Sequence, residues 1–218
     1  MHARLISYSQ SPTMNIGDLY VPEGIHELVA YCARVSNPSA QVNSETAPRL
    51  LAYLKRHKHW SPFEMCSATL EVETTRDIAR QFLRHRSFSF QEFSQRYANP
   101  NDLANTFVLR EARLQDNANR QNSIETDDES LKKTWIAKQE QIIHEAKLAY
   151  QWAIDNGIAK EQARVVLPEG NTISRLYVNG TIRSWIHYLE LRQADGTQLE
   201  HILLAHEIAK VISKIFPV

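Results

Sequence analysis

Apolar positions along this chain recur at two periods. In "GIHELVAYCARVS", Ile25, Leu28, Val29 and Cys32 fall three or four apart, which predicts a helix. "ETAPRLLAYLKRHKHW" predicts a second helix, with Pro48 in its first turn and Leu50, Leu51 and Leu54 facing inward. "CSATLEVETT" changes period: Ala68, Leu70 and Val72 share one face, as in a strand, and "ARLISYS" near the start reads as another. "TRDIARQFLRHR" returns to helical spacing, with Ile78, Ala79, Phe82 and Leu83 as the stripe and Thr74 or Thr75 as the cap. "SLKKTWIAKQEQIIHEAKLAYQWAIDNG" predicts a long amphipathic helix stopped at Asn156-Gly157. "RSWIHYLELR" and "TQLEHILLAHEIAKVISKIF" predict two more. Between these elements, residues 98–130 are polar and rich in Asn, Gln and Asp, which predicts a long, partly mobile excursion. No repeat and no clean linker interrupts the series. The expectation is a single α+β domain over residues 1–218, with a central, mostly antiparallel sheet flanked by helices.

Composition narrows the function. Lysine plus arginine equals aspartate plus glutamate, 25 each, so the chain lacks the basic excess of a general nucleic-acid binder. Neutrality overall still permits a local basic pocket for a small anion. Cys32 and Cys66 are the two cysteines, too few for a disulfide framework or a zinc knuckle. The N-terminal stretch has no signal-like apolar run, and no segment reaches the length needed to cross a membrane. A cytoplasmic protein is expected, with no bound metal and no membrane or nucleic-acid partner.

The six glycines are too scattered for a dinucleotide fingerprint or a phosphate loop. A nucleotide would have to be held by side chains, which directs attention to the arginines. Residues 84–97, "RHRSFSFQEFSQRY", carry Arg84, Arg86 and Arg96; Arg164, Arg175, Arg183 and Arg192 follow. If the helix runs through this stretch, Gln81, Arg84 and His85 share a face, as do Arg183 and His187. Arg192 lies about 13 Å beyond Arg183 along an unbroken helix. These are separate posts, suited to a long ligand or to two ligands. The plainer reading is that "RHR" complements a helix C-terminus, worth ~0.3–1 kcal/mol. The joint pattern, not any single residue, argues for more.

At "RHRSFSFQEFSQR" the sequence resembles the flavin-dependent thymidylate synthases. Their signature, Arg-His-Arg followed after seven residues by Ser, is matched by Arg84-His85-Arg86 and Ser94; Ser89, Glu92 and Arg96 match its extended form. "HWSPFEM", "ARQFLRHR", "EQARVVLP" and "RSWIHYLELR" resemble further family segments, so the resemblance covers most of residues 25–205. It implies an enzyme that makes deoxythymidylate from deoxyuridylate by reductive methylation. The carbon comes from methylenetetrahydrofolate and the reducing power from NADPH through FAD, in a homotetramer with shared active sites. Carried across by position, Ser61, Arg84, His85, Arg86, Glu92, Arg183 and His187 would touch the flavin. Asn179 or Thr181 would hold the place of the family's flavin-contacting asparagine. Gln81, Arg84, Glu92, Ser94, Gln95, Arg96, Arg164 and Arg192 would hold deoxyuridylate, and His59 resembles a histidine near flavin and folate.

The residues suit that chemistry. Neither cysteine has the cationic neighbours in sequence that would activate a thiolate, and a flavin route needs no protein nucleophile. An arginine beside the uracil ring can stabilise the negative charge that builds during activation, but cannot act as a base. Arg192 is the catalytic candidate. Arg96 and Arg164 supply the fork geometry a phosphate needs. Phe88, Phe90 and Phe93 would pack and keep the pocket dry. Two rival classes carry less: an RNA-binding module, and a metal-dependent hydrolase using His57, His59, His201 and His206.

Overall fold

The structure, a computed structural model, describes residues 1–12, 22–100 and 106–216. A four-stranded antiparallel sheet, ordered β1-β2-β6-β3, forms the centre: β1 (His2–Tyr8), β2 (Ser67–Thr75), β3 (Phe88–Glu92) and β6 (Ile173–Thr181). Helices α1 (Ile25–Ala33), α2 (Ala47–Arg56), α3 (Arg76–Phe82), α6 (Ile182–Arg192) and α7 (Leu199–Ile212) contribute to one continuous core with it. The architecture is the α+β arrangement with an antiparallel sheet that the sequence predicts.

Sheet register explains the two faces. Ala68 pairs with Gly180, Leu70 with Val178 and Val72 with Leu176, and these inward residues line the core. The alternate residues carry charge or amide: Arg4 and the Tyr177 hydroxyl bond Glu71, Arg175 bonds Glu73 across the pair, and the Asn179 amide donates to Thr69. Arg175 is therefore a cross-strand partner. Strand β3 lays Phe88 over Gly180. A Cβ at Gly180 would meet the Phe88 ring at 2.3 Å, so only a bare backbone fits there.

Two strands, central β6 and edge β3, escape the sequence patterns above. Ser87 ends a turn rather than a helix, and Phe88 and Phe90 then alternate inward as β3. In β6, Leu176 and Val178 alternate with Arg175, Tyr177 and Asn179. The polar excursion is not wholly irregular: β4 (Arg113–Gln115) and β5 (Ser123–Glu125) form a hairpin, and Phe107 bridges Thr172. Residues 101–105 of that excursion lie outside the described residues. The long helix is α4 (Glu129–Asp155), capped by the Asp128 side chain and followed by Gly157 at φ +75°. Its Gln139 is 4% exposed and clamps Arg110 by both backbone groups, which fastens the helix to the excursion. The short α5 (Lys160–Ala163) and a 3-10 turn over Arg164–Val166 pack on its far end.

Candidate active site

Helix α3 ends at Phe82, earlier than the apolar stripe predicts, so Gln81, Arg84 and His85 do not share a continuous helical face. Arg84 N–H donates to Gln81 and His85 N–H to Phe82, a tightening that turns the chain away from the helix axis. Beneath this turn the Phe82 ring stacks on Tyr188 of α6 at 4.5 Å, and the His85 ring meets Tyr188 edge-on at 5.1 Å. Packing of these apolar rings, and not helical spacing, puts the signature turn against α6.

The contact brings Arg192 to His85. The Arg192 Nε–H donates to His85 Nε2 at 2.9 Å, across 107 residues of sequence. An imidazole nitrogen that accepts from a guanidinium is unprotonated, so His85 carries its proton on Nδ1. Burial, then the Arg192 charge, pushes its pKa down to about 4. Burial and the neighbouring Arg84 charge also lower the Arg192 pKa, yet a guanidinium stays protonated at any ordinary pH. Behind this pair, Gln81 donates to Gln198 at 2.8 Å and meets His201 Nδ1 at 3.1 Å. His201 Nε2 meets the Tyr188 hydroxyl at 3.1 Å. His201 is fully buried, and burial leads the effects that push its pKa down to about 3. Tyr188, Gln198 and Glu200 escaped the sequence reading as site residues, and His201 entered it only as a candidate ligand of the rival metal-dependent hydrolase. Only the hydrophobic spacing of their helices is visible in sequence.

A second group sits at the end of β3. Glu92 accepts from Ser174 at 2.9 Å and pairs with Arg76 at 3.5 Å and Arg80 at 3.4 Å. Arg80 also pairs with Glu169 at 3.0 Å, and Arg76, itself buried, feels the Arg164 charge. Beyond Glu92, Ser94 Oγ accepts from the Arg96 backbone, and the Arg96 side chain pairs with Glu161 at 3.4 Å. Arg76 and Arg80 are the members of this group that the sequence motif does not reveal.

The third group lies where α6 begins. Arg183 pairs with Glu64 at 2.5 Å, and the His187 ring meets Trp60 edge-on at 4.5 Å. Both residues therefore face the segment that carries Ser61, as their spacing predicts. His59 is exposed beside His57 and Tyr53, with ring centroids 6.2 and 6.1 Å away. The Thr181 hydroxyl is taken by the helix cap, accepting from Ser184 N–H at 3.2 Å, whereas Asn179 is exposed on the strand. Ser89 pairs with Asn179 across the sheet.

The donors of these groups suit an anionic, acceptor-rich ligand. Among the described residues no carboxylate pairs with Arg84, Arg86, Arg164 or Arg192. Gln95 is 4% exposed, and its Nε2 has no partner, although a buried donor is costly to leave unmade. These uncommitted donors fit a nucleotide phosphate and pyrimidine carbonyls. No thiol is placed for nucleophilic work: burial pushes Cys66 up to about 12 and raises Cys32 as well.

The family model described as "Thymidylate synthase complementing protein" matches residues 20–218. A "Probable flavin-dependent thymidylate synthase" of Paramecium bursaria Chlorella virus 1 is 48% identical, over 100% of this chain and 96% of its own length. A "Flavin-dependent thymidylate synthase" of Synechocystis sp. is 46% identical, again over 100% of this chain and 96% of its own. Among solved structures, the UMP/dUMP methylase PolB from Streptomyces cacaoi, bound with 5-Br dUMP, superposes with a TM-score of 0.79. It is 27% identical and covers 98% of this chain and 90% of its own.

Proposed function

The chain belongs to the flavin-dependent thymidylate synthase family, and on that premise we propose that it methylates deoxyuridylate to deoxythymidylate by the arginine-assisted route. The observation that carries this reading is the hydrogen bond from Arg192 to a neutral His85, which joins the signature turn to the end of α6. Bound FAD would supply the reducing equivalents, drawn from NADPH, that turn the one-carbon unit of methylenetetrahydrofolate into a methyl group.

Arg192 stabilises the negative charge that develops on the uracil nitrogen and carbonyl oxygens, without taking a proton itself. Its approach is set by His85. Arg96 and Arg164 hold the substrate phosphate, with Ser94 and the unpartnered Gln95 amide beside them. Gln81 and Arg84 hold the rest of the nucleotide, and Glu92, gripped by Arg76 and Arg80, orders the strand between the two ends. Arg84, Arg86 and Arg183 answer the charge of the flavin's pyrophosphate. Ser61, His85, Glu92, His187 and either Asn179, whose amide donates to Thr69, or Thr181, whose hydroxyl caps α6, line its path. His59 serves the flavin and folate side.

The reading includes a homotetramer that completes each site from more than one subunit. The outward face of α4 suits such assembly: Leu131, Trp135, Ile142 and Trp152 are 40–63% exposed along it. No helix among the described residues is long and apolar enough to cross a membrane, and both cysteines are free thiols, consistent with a cytoplasmic setting. The test is direct. The purified protein should be yellow, or become so with FAD. It should oxidise NADPH faster when deoxyuridylate is added, and form deoxythymidylate only when methylenetetrahydrofolate is present. A colourless protein that ignores FAD, and shifts RNA on a gel instead, would overturn the reading.

A further inference from the structure

The hydrogen bonds behind Gln81 have a direction, and one charged group sets it. Glu200 is 8% exposed and accepts from Arg113 of the β4 strand at 2.5 Å. An ionised carboxylate only accepts, so the amide nitrogen of Gln198 must face it, and does so at 2.9 Å. That leaves the Gln198 oxygen toward Gln81, which must therefore donate through its own nitrogen, at 2.8 Å. The Gln81 oxygen then faces His201 Nδ1 at 3.1 Å and requires a proton there. With Nδ1 protonated, the neutral ring accepts at Nε2 from the Tyr188 hydroxyl, also at 3.1 Å. Flipping any one amide sets oxygen against oxygen somewhere along this chain of groups. Burial works against the charge on Glu200, but hydrogen bonds from Gln198, its own backbone N–H and Arg113 hold its carboxyl below the usual carboxylate range. The charged member is thus a fixed anchor.

We propose that His201 is a positioning residue: it holds the Gln81 amide in one orientation, so that Gln81 offers its remaining N–H to an acceptor oxygen of the pyrimidine nucleotide. The inference rests on Gln81 being a nucleotide contact, as in the function proposed above. Gln81 has two amide hydrogens, and Gln198 takes one. His201 covers the oxygen, so an unheld amide that rotated would present an acceptor to an acceptor. His201 touches no ligand in this scheme and acts only through Gln81.

A double-mutant cycle on the FAD-loaded protein tests this, with deoxyuridylate binding followed by calorimetry and turnover followed in parallel. His201→Leu should weaken deoxyuridylate binding about tenfold, or ~1.4 kcal/mol, and raise its KM in step while kcat changes less than about twofold. His201→Asn, whose amide N–H can stand near Nδ1, should recover most of the loss. In a Gln81→Ala background, His201→Leu should add almost nothing. If His201→Leu does not fold, Tyr188→Phe takes its place. It removes the hydroxyl that fixes the ring, and should weaken binding in native Gln81 and not in Gln81→Ala. Equal losses in both backgrounds, or none in either, would overturn the positioning role. If Gln81→Ala itself leaves deoxyuridylate binding untouched, Gln81 is no nucleotide contact and the inference falls with that reading. If Gln81→Ala weakens binding and the His201 and Tyr188 variants do not, only the inference falls.

Discussion

At the turn after α3, polar groups are held by neutral partners: Arg192 by the half-buried His85, and Gln81 by the buried His201 and the half-buried Gln198. At the end of β3 and beyond, cations are held by carboxylates: Arg76 and Arg80 by Glu92, and Arg96 by Glu161. The two arrangements answer different demands. Neutral partners leave the Arg192 charge uncompensated, ready to stabilise charge that develops beside it. A carboxylate partner spends the cation's charge in advance, but an exposed pair is worth only ~0.2–1 kcal/mol and exchanges readily for a phosphate. Arg96 and Glu161 are 55% and 49% exposed, so theirs is such a pair. Under the proposed function the Arg192–His85 pair of the first region is built for the chemical step, its Gln81 orients the nucleotide, and the second region captures the substrate.

The sharpest way to break this division is Arg192→Ala. If Arg192 stabilises the activated uracil ring, kcat should fall by about 10²–10³-fold, as when a well-placed electrostatic donor is lost. The purified variant should keep its flavin, because other residues hold it. Single-turnover kinetics measure the chemical step directly. A variant that turns over within tenfold of the parent would leave Arg192 a structural post like Arg175.

A second distinction is response to acid. Unfolded, both imidazoles take up a proton near pH 6.5; folded, His85 resists until about 4 and His201 until about 3. Across that window the unfolded chain binds more protons, so stability falls as pH drops below 6.5 and continues to fall toward 4. Among the described residues, the groups facing His85 are Arg192, the Phe82, Phe88 and Tyr188 rings and, farther off, His201; none is a carboxylate that would offset the loss. Melting temperature measured from pH 7.5 to 4.5 should decline steadily. His85→Gln, which can still accept from Arg192, should flatten the curve. An unchanged slope in that variant would mean His85 protonates freely in the folded protein.

The same contrast explains what the sequence could reveal. The second region is largely local: Glu92, Ser94 and Arg96 lie within five residues, and the family signature that this stretch resembles singles them out. The long amphipathic helix and the inward row of β2 were equally plain, because each repeats one period over many residues. The first region depends on contacts such as Gln81 to His201, 120 residues apart, made through two helices whose apolar stripes announce only that they pack. Strand β6 was obscured because Arg175, Tyr177 and Asn179 fill its outward face while Ser174 and Gly180 flank the apolar pair on its inward one, so just Leu176 and Val178 mark the alternation. The early end of α3 was illegible because Leu83 continues the helical stripe in sequence while the chain has already turned.

The smallest effect is the most specific to the comparison. Glu161→Gln removes the carboxylate from Arg96 and leaves the amide's bulk in place. If Arg96 exchanges that partner for the substrate phosphate, its release should tighten deoxyuridylate binding about 1.4- to fivefold, the range set by an exposed pair of ~0.2–1 kcal/mol. The gain is electrostatic, so it should shrink as salt rises and the Debye length falls toward about 3 Å near 1 M. The loss in His201→Leu should be nearly unaffected by salt, since it arises from a buried, neutral hydrogen bond. Calorimetric titrations of both variants at 0.05 and 0.5 M NaCl make the comparison. Equal salt slopes would erase the division between a region that waits with its charge uncompensated and one that trades a carboxylate for a phosphate.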